Sequence, residues 1–184
     1  LSGIVPEWTI TDPSGHVVSS GRLEKTTITP GNGWQLGEIA VPLNTFEQPV
    51  KLTIHLKVSD FENTWDIWVY PAKLQETGTG ILVTRNLDAR ALEVLSQGGK
   101  VLLTPKKGSL KSEAGGNIAA GFSSIFWNTA WTSKQAPHTL GVLCNPNHPA
   151  LAAFPTEYHS NWQWWDAMSH TDAIVLSNFP TELR

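Results

Sequence analysis

Apolar and polar residues alternate along much of the first 70 positions, with the period of two that is typical of a half-buried β-strand. In the segment 51–58 every second residue is apolar, beginning with Leu52. The predicted strands are 7–11, 16–20, 34–41, 51–58 and 64–70. Short strands at this spacing favour a β-sandwich, although about five strands are fewer than the seven of an immunoglobulin-type sandwich. We therefore predict a partial β-sandwich over residues 1–71, with its missing strands upstream of residue 1.

The hydrophobic pattern changes after Pro71. The runs 80–84 and 100–104 each contain three consecutive large apolar residues, as in buried parallel strands. The segment 87–95 between them has helical spacing and is followed by Gly98-Gly99, a helix stop. A β-α-β unit of this kind predicts an α/β domain over residues 72–184. Its other predicted elements are strands at 140–143 and 173–176, a short helix at 150–154 and a helix at 161–168 capped by Asn161 or Ser160.

Charge and composition narrow the range of partners. The net charge is −3, and no basic run exceeds Lys106-Lys107, so nucleic acid and anionic membrane surfaces are disfavoured. No apolar run approaches the ~20 residues of a membrane span. The single cysteine, Cys144, rules out a disulfide within the chain. The chain starts at Leu1 without Met and ends at Arg184 without a closing element, so we expect a fragment.

Tryptophan is the outstanding feature of the composition, with nine Trp and only two Tyr. The strings 126–131 and 161–166 mix indoles with amide and carboxylate groups, the chemistry of sugar-binding sites. The candidate sugar-binding residues are Trp127, Asn128, Trp131, His159 and Trp164. Packing in a core or at a domain interface is the favoured interpretation of these indoles, and a sugar platform is the alternative. Trp162 and Trp165 would share one helix face and are expected in the core, whereas Trp164 would point to solvent.

A cysteine nucleophile is a second interpretation. Cys144 follows an apolar run and precedes His148 and Glu157, a set that would suit an amidotransferase-like hydrolase. A strained nucleophile turn needs a second glycine, and here Pro146 follows instead. A buried, unreactive thiol is the favoured interpretation of Cys144.

Other catalytic and ligand-binding classes find less support. The sixteen acidic residues include no pair in a recognisable glycosidase context. A metal site is not predicted, because the spacing typical of metal ligands is absent among His138, His148, His159 and His170. A nucleotide site is not predicted either, because such a site needs glycines after the first parallel strand and Arg85 stands there. We predict no catalytic residue, no metal and no cofactor.

Several segments resemble a known enzyme family. The segments 51–56 and 63–71 look like the end of an immunoglobulin-like domain in large bacterial family 2 glycoside hydrolases. The segments 98–103, 126–129 and 148–157 are similar to the C-terminal region that follows it, whose α/β part resembles flavodoxin-like or amidotransferase-like domains. The similarity extends from about Trp34 onward. It implies an immunoglobulin-like sandwich followed by a truncated flavodoxin-like domain.

The resemblance also implies a function. It implies a non-catalytic accessory module of a β-galactosidase-like enzyme, which would pack against the catalytic domain of the same polypeptide and contact a β-linked glycan. The parent enzyme would be secreted or periplasmic. The family's catalytic carboxylates belong to a preceding barrel, and no position here matches them. The alternatives are a Cys144-dependent hydrolase and an oligomerisation scaffold with exposed tryptophans at subunit interfaces.

Overall fold

A computed structural model describes residues 1–73, 80–110, 118–122 and 139–178. The chain divides into two compact units. Unit 1 comprises Leu1–Leu74 and Pro146–Pro155, and unit 2 comprises Gln75–Asn145 and Thr156–Arg184. Strands and a few short helices are mixed along the chain, in line with the predicted mixture of β and α/β structure.

Unit 1 contains a four-stranded antiparallel sheet in the order β2-β1-β3-β4. The strands are β1 (Glu7–Thr11), β2 (Val17–Arg22), β3 (Val50–Val58) and β4 (Phe61–Val69). Strands β3 and β4 pair along their full nine-residue length, from Val50↔Val69 to Val58↔Phe61. Beyond the β1–β2 ladder, a bridge between Ile4 and Thr26 continues the antiparallel pairing of the hairpin.

The two faces of this sheet follow the alternation of the sequence. Ile10 and Leu52 lie on the apolar face and are 3% and 0% exposed. The opposite face carries charged and hydroxyl side chains from the intervening positions, such as Thr53 and His55 of β3. Because successive side chains of a strand point to opposite faces, one residue of slippage would exchange the two sets.

Two tight turns join the strands of unit 1. Asp12 opens the first turn, and its Oδ1 accepts hydrogen bonds from the backbone N–H groups of Ser14 and His16 at 2.9 and 3.0 Å. The backbone N–H of Gly15 donates to the Asp12 carbonyl oxygen, and Gly15 has φ +83°, which glycine adopts without steric cost. The second turn holds Ser59 at φ +56° between β3 and β4.

Four of the five strands predicted in unit 1 are confirmed within one or a few residues. The predicted strand at 34–41 is wrong, because that segment has no strand pairing. The turn between β3 and β4 also falls earlier than predicted, and β4 begins at Phe61. The strands of the described part of unit 1 form one sheet, so a sandwich of two sheets is not confirmed.

Unit 2 contains the predicted β-α-β unit. Strands β5 (Ile81–Thr84) and β6 (Lys100–Leu103) are parallel, and helix α1 (Ala89–Ser96) connects them. Asp88 caps the helix, because its Oδ1 accepts a hydrogen bond from the Ala91 N–H at 2.9 Å. At the other end, Gly98 has φ +75°. The N–H groups of Gly98 and Gly99 donate to the carbonyls of Leu95 and Val94, which forms the Schellman stop expected from the two glycines.

The rest of unit 2 is held by isolated bridges between short segments. The segment 118–122 bridges to Asp172 through Ala119 and to Leu140 through Phe122. A further bridge joins Leu143 to His159. A 3-10 turn at Trp162–Trp164 leads directly into helix α2 (Trp165–Ser169). A last 3-10 turn at Leu176–Asn178 ends the described part.

Several predictions for unit 2 need correction. The parallel strands are not buried, since Val83 is 62% and Leu102 53% exposed. The predicted strands at 140–143 and 173–176 are wrong: the first has only bridges at its two ends, and the second is replaced by loop and a 3-10 turn. The predicted helix at 150–154 is replaced by a 3-10 turn at Pro149–Leu151. The predicted helix at 161–168 begins as a 3-10 turn and continues into α2. A flavodoxin-like fold is not confirmed, because the described strands of unit 2 form a two-stranded sheet.

Candidate functional site

Three aromatic rings meet on the surface of unit 2, and we call Phe122, Trp162 and Trp165 the aromatic cluster. The rings of Phe122 and Trp165 stack with centroids 5.9 Å apart and planes 11° from parallel. Trp162 lies 5.9 Å from Trp165 at an interplanar angle of 41°. Trp162 and Trp165 remain 71% and 56% exposed. The cluster is therefore ordered by ring contacts while it presents a large apolar area to solvent.

The local sequence explains how two of the rings come together. Asn161 caps the 3-10 turn, because its Oδ1 accepts a hydrogen bond from the Trp162 N–H at 2.8 Å. In a 3-10 turn, residues three apart lie one above the other. Trp162 and Trp165 have this spacing, so their rings project from the same side at the start of α2.

Phe122 is brought to the cluster by the isolated bridges between short segments of unit 2. The segment 118–122 is fixed next to Leu140 by the Phe122–Leu140 bridge and by a hydrogen bond of 3.0 Å from the Gly121 N–H to Thr139 Oγ1. The segment that follows Leu140 then pairs with the segment before α2, where the Ser160 N–H donates to the Val142 carbonyl at 2.9 Å. Phe122 and α2 are thus brought together although 43 residues separate Phe122 from Trp165.

The aromatic cluster lines a concavity of about 200 Å³ together with Ser160 and Asn161. A second concavity, of about 310 Å³, is lined by the segment 140–143, His159 and Ser160. Ser160 lines both concavities, so the two concavities are adjacent. The first concavity therefore combines aromatic rings with a hydroxyl and an amide, and the second adds the imidazole of His159.

The polar residues at this edge are held in place by the backbone. Ser160 Oγ accepts a hydrogen bond from the Val142 N–H at 3.0 Å. Gly141 has φ +116°, and a Cβ at this position would lie 2.8 Å from Ser160 Oγ, so a side chain there would displace the hydroxyl. His159 is exposed and is fixed by its bridge to Leu143.

The structure reverses the expected roles of the three tryptophans in the string 161–166. Trp164, expected to be exposed, is half-buried, and its Nε1–H donates to Thr156 Oγ1 at 2.9 Å. Trp162 and Trp165, expected in the core, are exposed. The shared side of Trp162 and Trp165 was correctly predicted, but the buried residue of helix α2 is Met168, which is 2% exposed.

The remaining candidates have different outcomes. Trp127, Asn128 and Trp131 lie outside the described residues. His159 lines the second concavity, whereas the aromatic cluster lines the first, and Ser160 lines both. Phe122 was missed, since it stands outside both tryptophan strings and its sequence neighbours give no signal for a surface role.

Cys144 and His148 are engaged in local contacts. The Cys144 thiol donates to the Glu157 carbonyl oxygen at 3.1 Å and lies 3.7 Å from Thr156 Oγ1. His148 caps the 3-10 turn at Pro149–Leu151, and its Nδ1 accepts a hydrogen bond from the Ala150 N–H at 3.1 Å. A neutral imidazole has one lone pair for accepting a proton, and here the Ala150 N–H occupies it. These contacts are typical of structural residues.

The described segments also limit metal and membrane chemistry. Within them, no three side chains of His, Cys, Asp or Glu are grouped closely enough to hold a metal ion. None of their helices has the length and apolar character needed to cross a bilayer.

Comparison with known families assigns both parts of the chain. Residues 82–184 match the family described as Domain of unknown function (DUF8487). The chain belongs to this family. Residues 1–71 match a second family, Domain of unknown function (DUF8488). The aromatic cluster, Ser160 and His159 all lie within the DUF8487 match, so the candidate site is a feature of the DUF8487 region. No curated protein matches the chain.

Proposed function

We propose that this DUF8487 protein is an accessory module without glycosidase activity of its own, which binds carbohydrate on the aromatic cluster. The observation that supports the proposal is the pair of indoles, Trp162 and Trp165, which contact each other at 5.9 Å and are still more than half exposed. Large exposed apolar patches on soluble domains usually mark interaction sites. Rings that are already ordered lose little entropy when a ligand binds.

The chemistry of the site suits a sugar. The apolar face of an indole packs against the C–H face of a pyranose ring, while hydroxyl groups need donors and acceptors at the edge. Ser160, Asn161 and His159 provide such groups along the two concavities. None of these residues is ionised permanently, so the site favours a neutral glycan.

We further propose that the module belongs to a family 2-type glycoside hydrolase and that its ligand is β-linked. This rests on the resemblance of the segments 51–56, 63–71 and 98–103 to that family. In this proposal the sheet of unit 1 is part of an immunoglobulin-like sandwich, and the β-α-β unit is part of a flavodoxin-like domain. The catalytic domain of the same exported polypeptide would be the module's partner.

Isothermal titration calorimetry tests the binding proposal. The 184-residue chain would be titrated with cello-, xylo-, manno- and galacto-hexaose, and with maltohexaose as an α-linked comparison. We expect saturable heat with at least one β-linked oligosaccharide and weaker binding of maltohexaose. Light scattering of the same samples would show whether the aromatic cluster is instead covered by a second copy of the chain.

Matched variants test whether the heat of oligosaccharide binding comes from the aromatic cluster. Trp162→Ala or Trp165→Ala removes one apolar wall, so we expect the Kd to rise by about tenfold or more, which corresponds to roughly 1.4 kcal/mol. Trp34→Ala is the control, because Trp34 is similarly exposed, at 51%, but belongs to unit 1. Equal loss of binding in all three variants, or no heat with any oligosaccharide, would contradict the proposal.

A further inference from the structure

The polar face of the unit 1 sheet carries a hydrogen-bonded relay of three side chains on three strands. Thr11 of β1 lies with its Oγ1 3.2 Å from Nε2 of His55 on β3. The Nδ1 of the same imidazole lies 3.0 Å from Glu62 Oε1 on β4. Thr11 and Glu62 are each displaced by two residues from the position directly opposite His55, so the relay crosses the sheet diagonally.

The direction of each hydrogen bond depends on the tautomer of His55, which an ionised Glu62 would select. An ionised carboxylate only accepts, so Nδ1 of His55 must carry the proton that is donated to Glu62. In the neutral ring Nε2 then has the lone pair, and the Thr11 hydroxyl donates to it. A hydroxyl that donates to an imidazole, which in turn donates to a carboxylate, is the arrangement that activates an oxygen nucleophile.

The relay opens onto a groove large enough for a small ester. The groove has a volume of about 270 Å³ and is lined by Glu7, Thr9, Thr11, His55, Lys57 and Glu62. Lys57 stands two residues after His55 on β3, on the same face of the sheet. Its ammonium group would stabilise negative charge that develops on a carbonyl oxygen during attack. Thr11 is fixed between β2 and β3, because β1 is hydrogen-bonded to both strands.

We propose that Thr11 is a nucleophile for acyl transfer from small esters, with His55 as general base and Glu62 as a positioning residue. This activity is separate from the proposed carbohydrate binding, which resides in unit 2.

The reaction balances with water as the only co-reactant. Thr11 Oγ1 attacks the ester carbonyl carbon and its proton moves to His55 Nε2. The bond between the carbonyl carbon and the leaving oxygen breaks, and that oxygen takes the proton to leave as an alcohol. A water molecule then attacks the acyl-threonine, its proton passes to His55, and Thr11 recovers its hydroxyl as the carboxylic acid departs.

Hydrolysis of p-nitrophenyl acetate by the full chain tests the proposal, with mass spectrometry of the peptide that contains Thr11. We expect release of p-nitrophenolate above the buffer rate and an acetyl group on Thr11 during turnover. Thr11→Val and His55→Gln should each lower the rate by about 100-fold, the range usual for loss of acid–base assistance. Thr11→Ser should retain the activity, since it keeps the nucleophilic oxygen.

Two further variants separate catalysis from structure. Glu62→Gln should lower kcat while KM stays constant, because the amide still occupies the space but no longer fixes the imidazole proton as the carboxylate does. Thr64→Val is the control, since Thr64 is an exposed threonine on β4 directly opposite His55 but outside the relay. Wild-type rates in Thr11→Val, or a wild-type chain that neither turns over nor becomes acetylated, would overturn the proposal.

Discussion

The two units differ in how their strands are held together. In unit 1, β3 and β4 pair over nine residues, and β1 pairs with both β2 and β3. In unit 2, β5 and β6 pair over four residues, and the other contacts between segments include isolated bridges. The regular sheet buries Leu52 completely, whereas the short parallel pair leaves Val83 62% exposed.

This contrast gives a physical reason why the proposed relay lies in unit 1 and the proposed sugar site in unit 2. A continuous ladder fixes side chains at regular positions across strands, which is how the Thr11–His55–Glu62 relay is aligned. Isolated bridges leave room for large side chains to gather without being covered, as Trp162 and Trp165 do. Regular structure therefore provides precise polar geometry, and irregular structure provides an exposed apolar surface.

The largest difference between the units should be seen when one apolar side chain is truncated in each sheet. Leu52→Ala removes a side chain that is 0% exposed, so we expect a loss of about 2–5 kcal/mol in the free energy of unfolding. Val83→Ala, at an exposed position of β5, should cost roughly 0.5 kcal/mol or less. Urea denaturation gives both values, and hydrogen exchange of peptides from β3 and β5 assigns them to a unit. Equal costs would mean that the sheets are equally buried.

A second substitution tests the close packing within unit 1. Gly21 lies opposite Trp8 in the β1–β2 ladder, and a Cβ at Gly21 would come within 2.7 Å of the indole. Gly21→Ala must displace the ring, so we expect a loss of about 1–3 kcal/mol. Ser20→Ala on the same strand is exposed and should be nearly neutral. An unchanged urea midpoint for Gly21→Ala would contradict this expectation, because it would mean that the Trp8 indole moves without any loss in the free energy of unfolding.

A third substitution addresses the helix of unit 2. Asp88→Ala removes the acceptor for the Ala91 N–H and should cost about 1 kcal/mol. Asp88→Asn keeps an acceptor oxygen and should lose only a fraction of this. Thermal unfolding followed by circular dichroism measures both variants. An equal loss in the asparagine and alanine variants would show that the charge of Asp88, and not its capping oxygen, is what matters at this position.

The smallest effect concerns the first turn of unit 1 and depends on pH. The Ser14 hydroxyl, which donates to Asp12 Oδ1, and the N–H groups of His16 and Ser14 hold the pKa of the Asp12 carboxyl below its ordinary value. A carboxyl whose pKa is lowered by folding stabilises the fold above its unfolded pKa, and this stabilisation is lost as the pH falls through the folded pKa.

Asp12→Asn should therefore be less stable than the wild type at pH 7, and the difference should shrink once the pH falls below about 4, the ordinary range of an aspartate. Thermal unfolding of both proteins across this range provides the measurement. A stability difference that stays constant down to acidic pH would show that the turn does not depend on the carboxylate charge.

The strands of unit 1 were largely predictable because alternation reports directly on a sheet with one covered face. The segment 51–58 illustrates this, since its period of two survives in β3 almost to the residue. The failure at 34–41 has the opposite cause: apolar residues such as Trp34 and Leu36 suit a strand locally, but pairing depends on a neighbour that sequence does not reveal.

The candidate site was predictable only in part. The spacing of Trp162 and Trp165 gave their common face, but not whether that face would be covered. Phe122 enters the cluster through bridges between distant segments, and such long-range contacts leave no local period in the sequence. The relay was missed for the same reason, since Thr11 and His55 are 44 residues apart and meet only because β1 lies beside β3.

The proposed binding of a sugar by the exposed indoles of the DUF8487 region is tested most directly by an NMR titration. The titration follows the indole N–H signals of the tryptophans as a β-linked oligosaccharide is added. We predict saturable shifts for Trp162 and Trp165, while the signal of Trp34 in unit 1 stays in place. Unchanged Trp162 and Trp165 signals across the whole oligosaccharide series would contradict the claim.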